Sequence, residues 1–147
     1  MLRPAHRLLV LALVAGVSSV SLAQAAPAAP RPKPGKLPND SMEIGRRYAQ
    51  WLLTSLSDSL VAHEGGDRKG TRADYDQTAI QLAARAGTEV KVLEEKFITR
   101  NNLRQYWRTS EFTSMTEPLL LRFVISEKGE LMGMGAGPKS QAPPIDP

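Results

Sequence analysis

Few side chains in this 147-residue chain could act as nucleophiles or as acids and bases near neutral pH. There is no cysteine, which excludes disulfides, thiolate catalysis and zinc sites built on sulfur. The histidines are His6 and His63, and no serine lies within Gly-x-Ser-x-Gly or three residues before a lysine. Both standard serine hydrolase patterns are therefore absent, and we predict no catalytic residues.

His63 and Glu64 begin like the helix motif of zinc proteases, but Asp67 stands where the second histidine belongs. One imidazole cannot fill a zinc site that needs three or four protein ligands. We therefore predict that the protein binds no metal. The alternative role of His63 is that of a solvated residue at a helix end, where it favours the helix dipole.

Two glycine-rich segments imitate nucleotide-binding motifs without completing them. Gly65 and Gly70 have the spacing of a phosphate loop, but Thr71 replaces the lysine that should follow. The glycines of segment 133–137 precede Pro138 instead of a helix whose N-terminus could bind a phosphate. We predict no nucleotide and no other cofactor.

The charged residue best suited to bind a ligand is Arg122, which interrupts the apolar segment 119–125. An arginine in a central strand must be paired, solvated or directed into a pocket. A salt bridge to Glu111 or Glu117 would satisfy it, and so would an anionic ligand. Both interpretations remain open from the sequence.

Tyr106 and Arg108 could add polar groups to the same cleft, with Trp107 and Met134 as its apolar wall. The alternation of these rings with arginines could also stack single-stranded nucleic acid. However, residues 42–138 contain 13 basic and 13 acidic residues, and phosphate binding needs a net basic surface. We therefore predict no nucleic acid partner, and a small-ligand site formed by Tyr106, Trp107, Arg108, Arg122 and Met134.

The first 25 residues have the layout of a secretory signal peptide. Arg3 and Arg7 precede the uncharged apolar run 8–17, and Ala23-Gln24-Ala25 provides a small-x-small cleavage pattern. A spanning helix needs about 20 predominantly apolar residues, and three serines break the apolar character after position 17. We expect cleavage after Ala25, no transmembrane segment afterwards, and a secreted or periplasmic product; a retained anchor is the alternative.

Proline marks the limits of the folded region. Residues 26–38 contain five prolines in thirteen positions, whereas none occurs between Asn39 and Glu117. We predict a Pro-rich linker over 26–41, one domain over 42–138 and a disordered tail over 139–147.

The apolar pattern of this domain changes from a helical to an alternating period. Apolar residues four apart from residue 44 to residue 60 predict one helix, capped by Asp40 or Ser41 and ending near His63. A second helix is predicted between Thr71, whose capping partner is Asp74, and a terminating Gly87.

Strands follow the helices. Val90 and Val92 alternate with charged residues, Asn101-Asn102 is typical of a turn, and the segment 119–125 is the strongest strand. Gly129 then turns the chain into a partner strand. This order predicts an α+β fold, with two N-terminal helices packed on one face of a three- to four-stranded antiparallel sheet.

The stretch from Gly87 to Pro138 resembles a small bacterial family of unknown function that has the nuclear-transport-factor-2-like (cystatin-like) fold, and the helical part from Tyr48 to Ala86 matches it more loosely. The resemblance covers about two thirds of the chain and rests on order and spacing, in Gly87-Thr88-Glu89-Val90, Tyr106-x-Arg108, Glu117-Pro118, Gly129, Met132-Gly133 and Pro138. It implies an exported module, of a kind often found beside serine hydrolase or β-lactamase-like domains, with a half-open cone that can hold a ligand or pair with another copy.

We therefore predict an exported, non-catalytic module that acts through small-ligand binding or self-association, with a homodimer through the exposed sheet face as one possibility. One alternative is a proton-transfer enzyme of the steroid-isomerase type, with Tyr106 as the hydrogen-bond donor and Glu95, Glu111 or Glu117 as the base. The other is an envelope protein that docks a partner and uses the Pro-rich linker for reach.

Overall fold

The computed structural model describes residues 33–67 and 69–145. The predicted signal peptide, the linker residues 26–32 and the tail residues 146–147 lie outside these ranges. The helices precede one antiparallel sheet, which confirms the α+β class. The described ranges contain three α-helices where the sequence predicts two. Their elements in chain order are α1 (Ser41–Leu53), α2 (Ser57–Ala62), α3 (Arg72–Ala86), β1 (Glu89–Arg100), β2 (Leu103–Phe112), β3 (Leu119–Ile125) and β4 (Leu131–Pro138).

The predicted first helix is broken into α1 and α2. Ser55 adopts a left-handed backbone with φ 56°, and the Leu56 amide donates to the Trp51 carbonyl at 2.8 Å. With the Ser55 amide bonded to Leu52, this is a Schellman ending that satisfies the last carbonyls of α1. The expectation of one continuous helix was wrong because the four-residue apolar period continues across this turn.

The predicted ends of α3 and the start of α1 are confirmed. Asp40 is the N-cap of α1 and accepts from the Glu43 amide at 3.0 Å. Thr71 and Asp74 form a reciprocal capping box at the start of α3. Gly87 ends α3 with φ 76°, in the region that glycine adopts without steric cost.

The sheet is a meander in the order β1-β2-β3-β4. Asn101 and Asn102, both with positive φ, close the β1–β2 hairpin, as the sequence predicts. Gly129, with φ 85°, lies in the turn between β3 and β4. Alternation along β2 gives the sheet two faces, and we call the one that carries Tyr106 the inner face and the one that carries Trp107 the outer face.

Helix α1 packs against the inner face. Tyr48 of α1 stacks with Phe123 of β3 at a centroid distance of 6.4 Å, and Phe123 also contacts the Tyr106 ring at 6.2 Å. All three rings are fully buried. Gly45 allows this approach, because a Cβ at that position would lie 2.1 Å from Cγ of Tyr106. The interior beneath α1 is therefore filled with side chains.

The chain continues past β4 as a C-terminal tail, which we define as residues 139–145. Lys139–Gln141 form a 3-10 turn, and the Lys139 amide donates to the Pro118 carbonyl at 2.8 Å. The Arg100 side chain donates to the carbonyl of Pro144 at 2.9 Å. Residues 139–145 are therefore hydrogen-bonded to the rest of the domain near both of their ends.

None of the helices within the described ranges combines the length and the apolar character needed to cross a bilayer.

Candidate functional site

The five residues predicted to share a cleft lie on both sides of the sheet. Tyr106, Arg108 and Met134 belong to the inner face, whereas Trp107 and Arg122 are direct strand partners on the outer face. Neighbouring residues of a strand point to opposite faces, so the segment 106–108 cannot present all its side chains to one ligand. A single cleft lined by all five is not formed.

Arg122 is half-buried, and its guanidinium lies over Gly135 of β4. Neither predicted partner, Glu111 or Glu117, forms an ion pair with it in the part of the chain that the structure describes. A salt bridge to Glu111 or Glu117, one of the two interpretations that the sequence leaves open for Arg122, is therefore not formed among the described residues.

On the inner face, Arg108 is held by two carboxylates of β1. Its guanidinium forms a bidentate pair with Glu89, at 2.8 and 2.6 Å, and donates to Glu95 at 2.9 Å. The Arg108 and glutamate side chains are only 16–17% exposed. The hydrogen bonds that Arg108 donates to Glu89 are the main reason that the pKa of Arg108 is raised, so the guanidinium is a fixed cation.

Glu95 is the centre of a wider network. It accepts from the hydroxyl of Tyr106 and, at 2.9 Å, from Arg46 of α1, which also bonds Glu43. Burial alone would raise the pKa of Glu95, but hydrogen bonds from Tyr106 and Arg46 outweigh it and the pKa is lowered. Burial, followed by the bond to Glu95, raises the pKa of Tyr106.

This arrangement fits a structural tie better than acid-base catalysis. A general base works best with a pKa near the operating pH, whereas the pKa values of Glu89 and Glu95 are both lowered. For Glu89, hydrogen bonds from Arg108 outweigh the effect of burial. Two arginines, Arg46 and Arg108, balance the two carboxylates. An adjoining depression of about 340 Å³ is open between α1 and this network.

The sequence pattern indicates Arg108 and Glu95 as candidates but does not predict Glu89 as a partner of Arg108. Two register shifts in β1, between Glu89 and Lys91 and between Val92 and Glu94, keep Glu89, Val92 and Glu95 on the inner face. Simple alternation along β1 would place Val90 and Val92 on the same face of the sheet, yet Val90 is 63% exposed. Bulges leave no clear sequence signal, so this pairing was not predictable.

A second opening, which we call the α3–β4 groove, is larger than the depression between α1 and the network and is mainly apolar. It has a volume of about 410 Å³, within the range of small-ligand sites. Arg85 is at its edge and has no ion-pair partner among the described residues. The groove is lined by Thr78, Gln81, Leu82, Arg85, Ala86, Met115, Leu119, Ala136, Gly137 and Pro138.

His63 lies at the end of α2, as predicted, but it is not simply solvated. Its ring stacks on Trp51 at a centroid distance of 5.3 Å, and Nε2 is 2.6 Å from the carbonyl of Gly35. The Gly35 amide donates to the Ser59 hydroxyl at 3.0 Å. A Cβ at Gly35 would lie 2.6 Å from the Trp51 ring. The last part of the Pro-rich linker is therefore bound to the helices at one glycine.

Within residues 33–67 and 69–145, no group of three or more acidic or histidine side chains could hold a metal ion. The chain matches no protein-family model, and no curated protein or solved structure is significantly similar to it. The class that its geometry defines is a helix-covered antiparallel α+β module, and its function must be argued from its surfaces.

Proposed function

We propose that the chain is an exported, non-catalytic α+β module that binds a small ligand with an apolar body and an anionic group in the α3–β4 groove. We further propose that its fold is of the nuclear-transport-factor-2-like (cystatin-like) kind. Helices followed by a four-stranded antiparallel sheet are the order that this resemblance implies, and the leader sequence supports export.

The observation that carries the proposal is the combination of lining and charge in the groove. Leu82, Met115 and Leu119 supply apolar surface, and Ala136 leaves space above β4. Arg85 adds one cation at the rim without a competing carboxylate in an ion pair. A mostly apolar cleft with a few placed polar groups is the usual form of a small-molecule site.

The proton-transfer alternative is less well supported. That chemistry requires a carboxylate with a raised pKa in an apolar cavity, whereas Glu95 is bound by two arginines and its pKa is lowered. Tyr106 donates to the same Glu95 carboxylate, so its hydroxyl is not free to stabilise a developing oxyanion. These contacts favour binding over catalysis.

Self-association through the outer face of the sheet is also less well supported than ligand binding. Trp107 and Leu120 of that face are 3% and 2% exposed within a single chain. A partner copy would have to displace whatever covers them. Native mass spectrometry of the chain beginning at Ala26 should therefore show mainly a monomer, and a stable dimer would favour the self-association alternative.

Calorimetric titration with three ten-carbon amphiphiles, decanoate, decanol and decyltrimethylammonium, tests the ligand class. We expect decanoate to bind most tightly, because its carboxylate can pair with Arg85. Arg85→Gln should weaken decanoate about five- to tenfold, in line with the loss of a charge-assisted hydrogen bond at an exposed site. Ala136→Leu should fill the groove and abolish binding of all three compounds.

Arg122→Gln is the matched control, since Arg122 also has no ion-pair partner among the described residues but lies on the other face. It should leave decanoate affinity unchanged. Equal affinity for the three compounds, or an equal loss in both arginine variants, would contradict the proposal. Export is tested separately, by expression of the full chain in a bacterial host and N-terminal sequencing of the product, for which we expect Ala26 as the first residue.

A further inference from the structure

The centre of the outer face of the sheet is buried even though the helices pack on the other side. Trp107 and Leu120 project from this face and are almost completely inaccessible, yet neither belongs to the core cluster that surrounds Tyr106. An antiparallel sheet can leave one face in water, and a tryptophan there would ordinarily be accessible. A segment of the chain must therefore cover Trp107.

The contacts identify this segment as the C-terminal tail. At one end, Lys139 Nζ is 2.7 Å from a carboxylate oxygen of Glu94 and 3.4 Å from the Thr109 hydroxyl. At the other end, the carbonyl of Pro144 accepts from Arg100. Both Glu94 and Arg100 belong to the outer side of β1, six residues apart. The tail thus runs along the outer face, and Trp107 lies between its two anchors.

The backbone of the tail is extended in the manner of polyproline. Pro138 has φ −55° and ψ 143°, and Ala142 has φ −59° and ψ 133°, on either side of the 3-10 turn. Pro143 and Pro144 follow directly and restrict their own φ to similar values. Such segments bind aromatic grooves with a small loss of conformational entropy.

The surface beneath has the chemistry of a receptor for such a segment. The Trp107 indole N–H is satisfied by Gln105 at 2.9 Å, so the ring offers mainly apolar area. Lys96 lies 5.6 Å from the ring centroid, and Arg122 flanks the ring on the other strand. These two cations favour peptide carbonyl groups and disfavour a further cation above Trp107.

We propose that this outer-face groove is a recognition surface for an extended peptide with a cation followed, four and five residues later, by two prolines, and that the chain's own tail occupies it in the free protein. Lys139 supplies the cation, Pro143 and Pro144 supply the prolines, and the intervening residues are uncharged. The surface is independent of the α3–β4 groove, which lies on the other face.

The first experiment asks whether the tail covers Trp107. A tail-release variant of the full chain carries Lys139→Glu, Pro143→Gly and Pro144→Gly in a Trp51→Phe background, which leaves Trp107 as the single reporter. We expect acrylamide quenching of Trp107 to increase at least threefold relative to the Trp51→Phe chain, with an unchanged far-UV circular dichroism spectrum. An unchanged quenching constant would overturn the proposal.

A second variant tests whether misfolding, and not release of the tail, causes the exposure of Trp107. Glu94→Lys in the same Trp51→Phe background repels Lys139 from the sheet side and leaves the tail sequence intact. We expect a smaller increase in quenching, because the anchor at Arg100 remains. Lys128→Glu, in the turn after β3, is the control and should not change quenching. An equal response in Glu94→Lys and Lys128→Glu would contradict the assigned path of the tail.

The second experiment asks whether the groove binds a peptide in trans. A synthetic peptide with the sequence of residues 139–147 should bind the tail-release variant and restore protection of Trp107. The intact chain should bind it at least tenfold more weakly, because a tethered segment competes at an effective concentration on the order of millimolar. A peptide with glycine in place of both central prolines should lose most of the affinity. Equal binding of the two peptides, or no binding by the variant, would overturn the recognition surface.

Discussion

The centres of the inner and outer faces of the sheet are both buried, but by different means. On the inner face, α1 brings Tyr48 against Phe123, and Arg108 is locked between Glu89 and Glu95. On the outer face, a seven-residue tail crosses a single tryptophan and is anchored by a surface ion pair whose side chains remain 42–45% exposed. The low exposure of the central residues on both faces therefore conceals an unequal strength of attachment of the segments that cover them.

Because of this difference, we expect the two faces to open at different free energies. Contacts that involve whole helices and several strands are lost only on global unfolding, whereas a short terminal segment can open at a lower free energy. A face that can open without unfolding the domain is suited to exchange of binding partners. The predictions below test this distinction, beginning with the largest expected effect.

Leu120 and Leu121 are adjacent leucines of β3 that face opposite sides, and both are buried. Leu121→Ala should lower the free energy of unfolding by about 3 to 5 kcal/mol, since its cavity opens within the core. Leu120→Ala should cost about 1 to 2 kcal/mol, because the tail can settle into the space. Urea denaturation measures both changes.

In the tail-release variant, most of the loss of unfolding free energy caused by Leu120→Ala should vanish, whereas the loss caused by Leu121→Ala should persist. Equal costs in both backgrounds would show that the outer face is as firmly packed as the core.

Arg108→Met should lower the free energy of unfolding by about 2 to 4 kcal/mol at pH 7, because two partly buried carboxylates lose their shared partner. The pKa values of Glu89 and Glu95 are lowered in the folded chain, so their stabilisation is present above a pH of about 4.5 and is lost as the pH falls through the folded values. The difference between Arg108→Met and the unaltered protein should therefore narrow between pH 5 and pH 3.

Arg104→Met is the control for this pH dependence, since Arg104 bonds the hydroxyl of Ser41 instead of a carboxylate. Its unfolding free energy should follow the same pH profile as the unaltered chain. A constant difference for Arg108→Met across the pH range would mean that Glu89 and Glu95 are not the groups responsible.

Gly45→Ala should cost about 1 to 3 kcal/mol, because the added methyl group overlaps the Tyr106 ring and forces α1 away from the sheet. The gain in helix propensity offsets part of this cost. Gly133→Ala on the outer side of β4 meets no atom within 4 Å and should change stability by less than about 0.5 kcal/mol. Thermal unfolding of the two variants distinguishes them, and similar melting temperatures would refute the assigned packing of α1.

Lys139→Ala should have the smallest effect, below about 1 kcal/mol, because its pair with Glu94 is exposed to solvent. The effect should disappear in 1 M salt, where screening acts over about 3 Å. Lys128→Ala, in a turn, should show no such salt dependence. A large effect that is insensitive to salt would mean that the tail is held by something other than this ion pair.

Local sequence signals predicted much of the fold. Asp40, Thr71 and Gly87 marked helix ends correctly, and Asn101-Asn102 and Gly129 marked the two tight turns. Each of these signals acts within four residues, so no knowledge of distant contacts was needed. The break at Ser55 was missed because serine is an unusual residue for a left-handed helix ending.

The candidate site was predictable only in part. The sequence identified Tyr106, Trp107, Arg108, Arg122 and Met134 as the residues of interest, but strand alternation divides them between two faces. The bulges in β1 that bring Glu89 to Arg108 have no local signature. The proposed binding of an anionic group by Arg85 also depends on how α3 lies relative to β4. The apolar pattern in the sequence of α3 does not specify this position.

The sequence by itself determined the neutral charge of residues 42–138, the α+β class of the fold and the positions of most caps and turns. These properties depend on composition or on interactions between near neighbours along the chain. The tertiary structure alone decided which charges neutralise one another, which side of the sheet each candidate serves and where the C-terminal tail lies. Such properties arise from residues far apart in sequence, since the register of four strands and the approach of a helix fix their distances.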